Sequence, residues 1–496
     1  MGKKIIITGL LFAILGAGGF FIYEKYINQF SSFKKDVIEV VFAENIYTYN
    51  PYTFTEVNDQ RLRYIYEPLV KLNKDLKIEP AIANSYGQLN ETTWEFKLNP
   101  QVKFHDNTPI SSEIVKLNFE KFKNIKALES LVSSIQKVEV IDNLTFQIIT
   151  KFPDASLLSK IALLFITPNQ PVSELEDNPN GTGPYTAYKI RENKLSLIEN
   201  PNYYGIKPKY PKLQLTTISD QFSRIDYALN SDRVVMLYPI ASDFANEISA
   251  SKFNSLEFPT TTTNFFVFNR NTKTFENQYI RQFFTQIIND EIIRNLTGGL
   301  GTMTSQFVAG GVFGFNQDVV LKRIANKDLL SEVKKRNLVG FKFTIVLPVG
   351  LEVFKQILEE KFRNSGLSVT IDTVLQSEIS TKEVQSKYDL IFLGWKSDFG
   401  DSASFLESMV LENAGLNNFG YNNEQVNSLI NEASTATNEN TRLQKLRKAN
   451  STIVLTDPFG IPLFETKTIY AVSKKYEYLP RLDGFVDVSN LILTQI

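Results

Sequence analysis

The chain has 496 residues, 43% hydrophobic and 22% charged, with Lys+Arg 53 against Asp+Glu 54 and a formal net charge of -1. That is the composition of a folded globular chain, and at roughly 150 residues per domain it holds two to four domains. The balanced charge argues against nucleic-acid binding, which takes a basic surplus. There are no cysteines, which excludes disulfides, thiolate-held zinc, iron–sulfur clusters, thiol nucleophiles and a lipid-modified cysteine anchor. A single histidine, His105, leaves no material for a multi-histidine metal site or a histidine acid/base pair.

Ile5 to Tyr23 form a nearly uninterrupted apolar run behind Lys3 and Lys4. As a helix this run spans roughly 28 Å, close to the hydrocarbon thickness of a bilayer. Residues 1–30 are therefore read as a secretory signal peptide or an uncleaved signal anchor, with the lysines inside. Gly16, Ala17, Gly18 and Gly19 supply small residues near a cleavage point but no A-x-A pattern, so both outcomes stay open. A buried core helix is disfavoured because the run has no polar face. The body is expected outside the cytoplasmic membrane, in the periplasm or on its outer face.

Beyond a polar juncture at Ser31 to Asp36, strand-like and helix-like stretches alternate. Thr93 to Leu98 predicts a strand with Trp94, Phe96 and Leu98 on one face. A turn at Asp106 to Pro109 precedes a helix with Ser111 as N-cap, Glu113 in its first turn, and Val115, Phe119 and Phe122 at helical spacing. Asn178 to Pro184, rich in Asn, Gly and Pro, predicts a hinge or domain crossing. Phe341, Phe343, Ile345 and Leu347 alternate as a strand. Phe354, Ile357, Leu358 and Phe362 form a helical stripe stopped by Gly366, and Leu367, Val369 and Ile371 alternate again, completing a β-α-β unit. Leu390 to Leu393 is apolar without alternation, as in a strand buried on both faces. Two helical stripes follow, Val426–Leu429–Ile430–Ala433 and Leu443–Leu446–Ile453. The fold class is α/β.

Catalytic motifs are missing. No G-x-x-x-x-G-K-[ST] loop or G-x-S-x-G elbow occurs. Gly298-Gly299-Leu300-Gly301 lacks phosphate-loop spacing and reads as a turn after a helix. His105, beside Asp106 between a strand and a helix, reads as a hydrogen-bonded turn residue rather than a catalytic base or a metal ligand. No carboxylate pair stands out as a glycosidase dyad, and no catalytic residue, metal or cofactor is assigned.

In open α/β sheets ligands collect beyond the carboxyl ends of strands. The strand ending at Leu393 runs into Gly394-Trp395-Lys396-Ser397-Asp398-Phe399-Gly400-Asp401, which brings an aromatic ring and two carboxylates to that edge. Asp398 suits a ligand ammonium, and Trp395 an apolar wall or cation–π face. The alternative has Asp398 capping a local turn and Trp395 filling the core. The residues alone leave the two readings even.

Several segments together resemble the family 5 bacterial extracellular solute-binding proteins, the oligopeptide, dipeptide and nickel receptors of ABC importers. Val102-Lys103-Phe104-His105-Asp106-Asn107-Thr108-Pro109 resembles the family signature, with Asn107 where glycine is usual. Tyr66-Glu67-Pro68-Leu69-Val70 and Pro80-Ala81-Ile82-Ala83 precede it. Gly181-Thr182-Gly183-Pro184-Tyr185, Asn200-Pro201-Asn202-Tyr203-Tyr204, Phe268-Asn269, Ile280-Arg281-Gln282 and Ile461-Pro462-Leu463 follow in family order. The resemblance runs from about Val37 onward.

It implies a periplasmic-binding-protein-like fold of class II, a three-domain clam with a hinge. Residues 37–76, 183–262 and 469–496 would form domain I, 77–182 domain II and 263–468 domain III. In the peptide-binding members an aspartate three residues after the Gly-Trp pair holds the peptide's α-amino group, and Asp398 stands there. The ligand-binding set is thus Asp398, Trp395, Gly394 and Asp401, although Ser402 follows Asp401 where many members have proline. For a ligand carboxylate, Arg270 and Lys396 are weak candidates. The implied function is a non-enzymatic, monomeric receptor that captures peptides and delivers them to an ABC permease and its separate ATPase, with the inner membrane as a further partner if the N-terminal helix is uncut. A membrane-anchored sensor or interaction protein on the same fold, and a receptor for a non-peptide solute, are the alternatives.

Overall fold

The computed structural model describes residues 37–494 apart from Phe54, Ser380 and Asn413. The apolar run Ile5 to Tyr23 lies outside the described residues, and among those described no helix is long and apolar enough to cross a membrane. The architecture is mixed α/β, built on an eleven-stranded sheet and a separate four-stranded one.

The large sheet begins from Val37–Phe42, a run whose apolar residues feed two cores, Val40 and Phe42 on one face and Val41 on the other. A strand covered on both faces needs this near-continuous hydrophobicity. It pairs in parallel with Lys212–Thr217 and Val234–Tyr238. Its one buried carboxylate, Glu39, accepts hydrogen bonds from Gln214, Thr216 and Tyr227. Lys194–Glu199 and Tyr185–Arg191 extend this edge antiparallel. We call this part lobe I.

Two long strands, Phe253–Phe268 and Gly460–Ser473, carry the sheet onward. Phe253 to Pro259 pair with Lys467 to Ser473, next to lobe I. Their register then shifts between Pro259 and Thr263 and again between Asn264 and Phe265, and such bulges bend and twist a strand pair. Past the bulges, Phe265 and Val267 enter one core while Phe266 and Phe268 enter another. Leu390–Lys396, Lys342–Pro348 and Ser368–Val374 complete this half, lobe III. The last two strands are parallel, flanking the helix Glu352–Asn364 as the predicted β-α-β unit. Gly366 ends the helical segment with φ +78°, a left-handed turn that favours glycine.

Lobe II is the four-stranded antiparallel sheet ordered Ala83–Asn90, Thr93–Leu98, Thr145–Thr150, Ile135–Val140. Phe96 and Phe146 stack at 5.3 Å in its core. The helix Ser112–Phe122 packs Val115, Phe119 and Phe122 into that core. Its N-cap Ser111 accepts from the Ile114 N–H at 3.3 Å, as the sequence pattern predicts. This core also takes in Tyr52, Leu69, Val70 and Leu72, from the chain preceding lobe II.

The segment Asn178 to Pro184 threads back beside Ile65. His105 clasps it: its backbone N–H donates to Gly181 O at 2.9 Å, its Nδ1 accepts from the Gly181 N–H at 3.4 Å, and its Nε2 donates to Gly183 O at 3.1 Å. Those bonds use both ring nitrogens of a neutral imidazole, and burial pulls the ring's pKa down. Asp106 accepts from Thr108 and Asn180. Asn107 has φ +71°, the left-handed region that explains why glycine or asparagine stands there. Gly181 and Gly183 lie against the Ile65 carbonyl, so a Cβ on Gly181 would sit 2.0 Å from Ile65 O. Backbone cannot yield as a side-chain tip can. Gly181→Ala should therefore cost about 2 kcal/mol or more of stability, read as a lowered thermal midpoint, whereas Gly87→Ala, with open space around it, should leave the midpoint nearly unchanged.

Candidate ligand-binding site

The strand expected to end at Leu393 runs three residues further, to Lys396. Pairing explains the difference: Gly394, Trp395 and Lys396 stay in register with Asn264, Thr263 and Thr262 of the long strand. Ser397 extends the contact, its N–H donating to Thr261 O at 3.2 Å. The site residues are thereby fixed to the bulged part of the long strand pair.

Alternation along the strand sends Trp395 and Lys396 to opposite faces. Trp395 packs its ring against Phe405, centroids 5.7 Å apart, at the margin of a lobe III core. Its indole N–H is buried without a partner among the described residues, as are the hydroxyls of Ser397 and Thr261. Buried polar atoms ordinarily find partners, and unpartnered ones also occur away from this stretch, among them Tyr66, Gln385 and Asn450. Gly394 is exposed, and a Cβ there would come 3.3 Å from Asn264 Oδ1.

Lys396 reaches out of lobe III to the helix Glu56–Leu62 of lobe I. Its Nζ lies 2.5 Å from Glu56 Oε1, 4.0 Å from Asp398 Oδ1 and 4.9 Å from the centre of the Phe485 ring. Arg63 stacks on Phe485 as well, at 4.1 Å. Around Asp398 thus gather Glu56 and Asp59 from the helix, Lys396, and Asp483, itself paired with Arg481 at 2.6 Å. Asp398 keeps 48% of its side-chain surface, a carboxylate at the open side of a dense recess. Burial in that recess, with Glu56 and Asp483 adding to it, raises its pKa, and Lys396 pulls the other way.

The other sequence candidates lie apart. Asp401 is buried; one oxygen meets Arg442 Nη1 at 2.5 Å and the other accepts from the Ala403 N–H at 2.8 Å. Arg270 pairs with Asp457 at 2.8 Å and lies over the Tyr421 ring at 4.2 Å, inside lobe III. Among the described residues no three His, Cys, Asp or Glu side chains are grouped to hold a metal ion.

The model of the bacterial extracellular solute-binding proteins, family 5 Middle, matches residues 77–417. The chain belongs to that family. A putative ABC transporter peptide-binding protein of Brucella ovis is 30% identical over 252 residues, 47% of each chain, so the chain spans about half the length of that relative. The probable D,D-dipeptide-binding periplasmic protein DdpA of Escherichia coli is 21% identical over 492 residues, 92% of this chain and 94% of its own. In fold, the chain is similar to HbpA2 from Haemophilus parasuis, with TM-score 0.84 at 17% identity over 92% of this chain and 100% of that one.

Within this family 5 member, the residues that surround Asp398 come from opposite ends of the sequence. Glu56 and Asp59 carry no signal of their own beyond an acidic first helical turn, which the helix dipole alone accounts for. Asp59 is buried, and burial together with Asp398 and Glu56 pushes its carboxyl up to about 7 against the pull of Arg63 and Lys396. Its folded pKa lies above the unfolded one, so the stability it contributes is complete below about pH 4 and is lost as pH rises to about 7. Asp59→Asn should remove this loss: denaturant midpoints of variant and wild type should be similar near pH 4.5 and diverge towards pH 8, with the variant the more stable.

Proposed function

We propose that the protein is the extracytoplasmic substrate-binding receptor of an ABC importer, a three-lobed clam that closes on a peptide and hands it to a membrane permease served by a separate ATPase. The observation that carries this reading is Asp398, a carboxylate half open to solvent in a recess that lobes I and III build together. Family membership and the similarity to peptide-binding and dipeptide-binding proteins support it. The bulged pair of long strands would be the hinge, with the crossing at Asn178 to Pro184 as a second link between lobes I and II.

The chemistry is capture, not conversion. A peptide ammonium arriving at Asp398 gains an ion pair in surroundings where closure removes water and screening falls. Lys396 would stay on Glu56, leaving the open side of Asp398 to the ligand. The exposed backbone at Gly394 would flank the peptide, with Trp395 packed on Phe405 behind the strand as its support. Asp401 would act from behind, its pair with Arg442 holding the turn that aims Asp398.

Native mass spectrometry of the soluble body, followed by identification of copurified ligand, tests the ligand class. A ladder of peptide masses is expected; a single non-peptide mass would replace the substrate. Breaking one side of a buried ion pair costs about 3–5 kcal/mol. Asp398→Asn should therefore weaken binding of the copurified peptides by at least about a hundredfold, measured by titration calorimetry, with an unchanged thermal midpoint for the ligand-free protein. Unchanged affinity would remove Asp398 from the site.

A further inference from the structure

Away from Asp398, lobes II and III meet along a second seam. Lobe II contributes Asp154, Ser156 and the helix Leu157–Ile161 with Lys160. Lobe III contributes Asp401, the π-helical turn Leu406–Val410 with Glu407, and the helices Glu424–Ser434 and Glu439–Ser451. Two hydrogen bonds cross directly: the Ala155 N–H donates to Ser434 O at 2.9 Å, and Arg442 Nη2 to Ser156 Oγ at 3.3 Å.

Each lobe brings a finished ion pair to this seam. In lobe II, Lys160 Nζ lies 2.9 Å from Asp154 Oδ2, which also accepts from the Ser134 hydroxyl at 2.5 Å. In lobe III, Arg442 Nη1 lies 2.5 Å from Asp401 Oδ2. Glu407, on the turn that follows Asp401, lies near enough to Lys160, Asp154, Asp401 and Arg442 to feel their charges. These five side chains are three carboxylates and two cations, and each cation already has a carboxylate partner. One negative charge is left over, and the residue that carries it is Glu407.

We propose that closing lobe II onto lobe III loads a proton onto Glu407, so that the seam is a latch favoured by acid. An uncompensated charge in a partly buried contact is costly, and a carboxyl escapes that cost by protonation. Burial and the two neighbouring aspartates push Glu407 up to about 7 in the closed form, against the pull of Lys160 and Arg442. With the lobes apart, Glu407 and Lys160 reach water and the carboxyl returns to its ordinary range. The closed form then binds the proton more tightly. The closed-to-open ratio is highest below about pH 4.5, falls as pH rises to about 7, and is flat above. The charged group that most restrains the effect is Lys160.

The chain has no cysteine, so spin labels can be placed by introducing cysteines at exposed Ser130 in lobe II and exposed Asn440 in lobe III. Pulsed electron paramagnetic resonance on the ligand-free chain then reads the separation of the lobes. The closed fraction should rise between pH 8 and pH 5.5, with the closed-to-open ratio changing about tenfold, within the limit of tenfold per unit of pH. Glu407→Gln, which mimics the protonated group, should lose most of the pH response, with Asp59 and Asp398 at the lobe I–lobe III contact accounting for what is left. A wild-type distribution indifferent to pH, or a pH response undiminished in Glu407→Gln, would overturn the latch. The inference uses the proposed lobe motion but not the ligand: loss of the pH response with peptide binding through Asp398 intact would remove the latch and leave the receptor reading standing.

Discussion

The pairing of Phe253–Phe268 with Gly460–Ser473 is the constraint on which the molecule depends. One end of this ladder belongs to the cores of lobe I and the other to those of lobe III. At the lobe III end the backbones come so close that a Cβ on Gly460 would lie 1.9 Å from Phe266 O, so the two strands travel together. Between those ends the register breaks at Pro259–Thr263 and at Asn264–Phe265. A ladder that is tight at both ends and irregular in the middle can bend there without unpairing its ends. The Leu390–Lys396 strand pairs against that irregular middle, and it carries Trp395 and Lys396 to the same place.

The charges follow from this geometry. Strand alternation sends the Trp395 ring into lobe III and the Lys396 ammonium towards lobe I. A lysine bridging two lobes through Glu56 at 2.5 Å brings its own counter-charge to the recess, and leaves Asp398 at 4.0 Å, near enough to be influenced and too far to be taken. Pairs between solvated surface charges contribute little. Here the ammonium is buried, which makes the arrangement sensitive to any added charge. The lobe II–lobe III seam follows the same logic: its two cations are both held by their own partners, and a carboxylate is again left over.

Local structure was legible in the sequence where one residue type had one use. The Ser111 cap, the β-α-β unit from Lys342 to Val374 and the turn glycine Gly366 all follow from periodicity and backbone sterics. The signature around His105 was legible as a turn, but its purpose needs Gly181 and Gly183, which the fold brings to the ring from far along the chain. Asp398 was singled out by its place after a buried strand and by family resemblance. Asp59, Glu56, Arg442 and Glu407 were not, because each sits on a helix where a charge at that spacing reads as solvated surface. Arg442 is the plainest case: it occupies a buried position of the helix Glu439–Ser451, and only the fold reveals Asp401 as its partner. Long-range ion pairs leave no periodic trace.

The most direct measurement is a crystal structure of residues 31–496 with the ligand they copurify. The account predicts a peptide in the recess between lobes I and III, its amino nitrogen within hydrogen-bonding distance of an Asp398 oxygen and Lys396 still on Glu56. A ligand that approaches Asp398 with no cationic group, or one held elsewhere with Asp398 facing solvent, would contradict it.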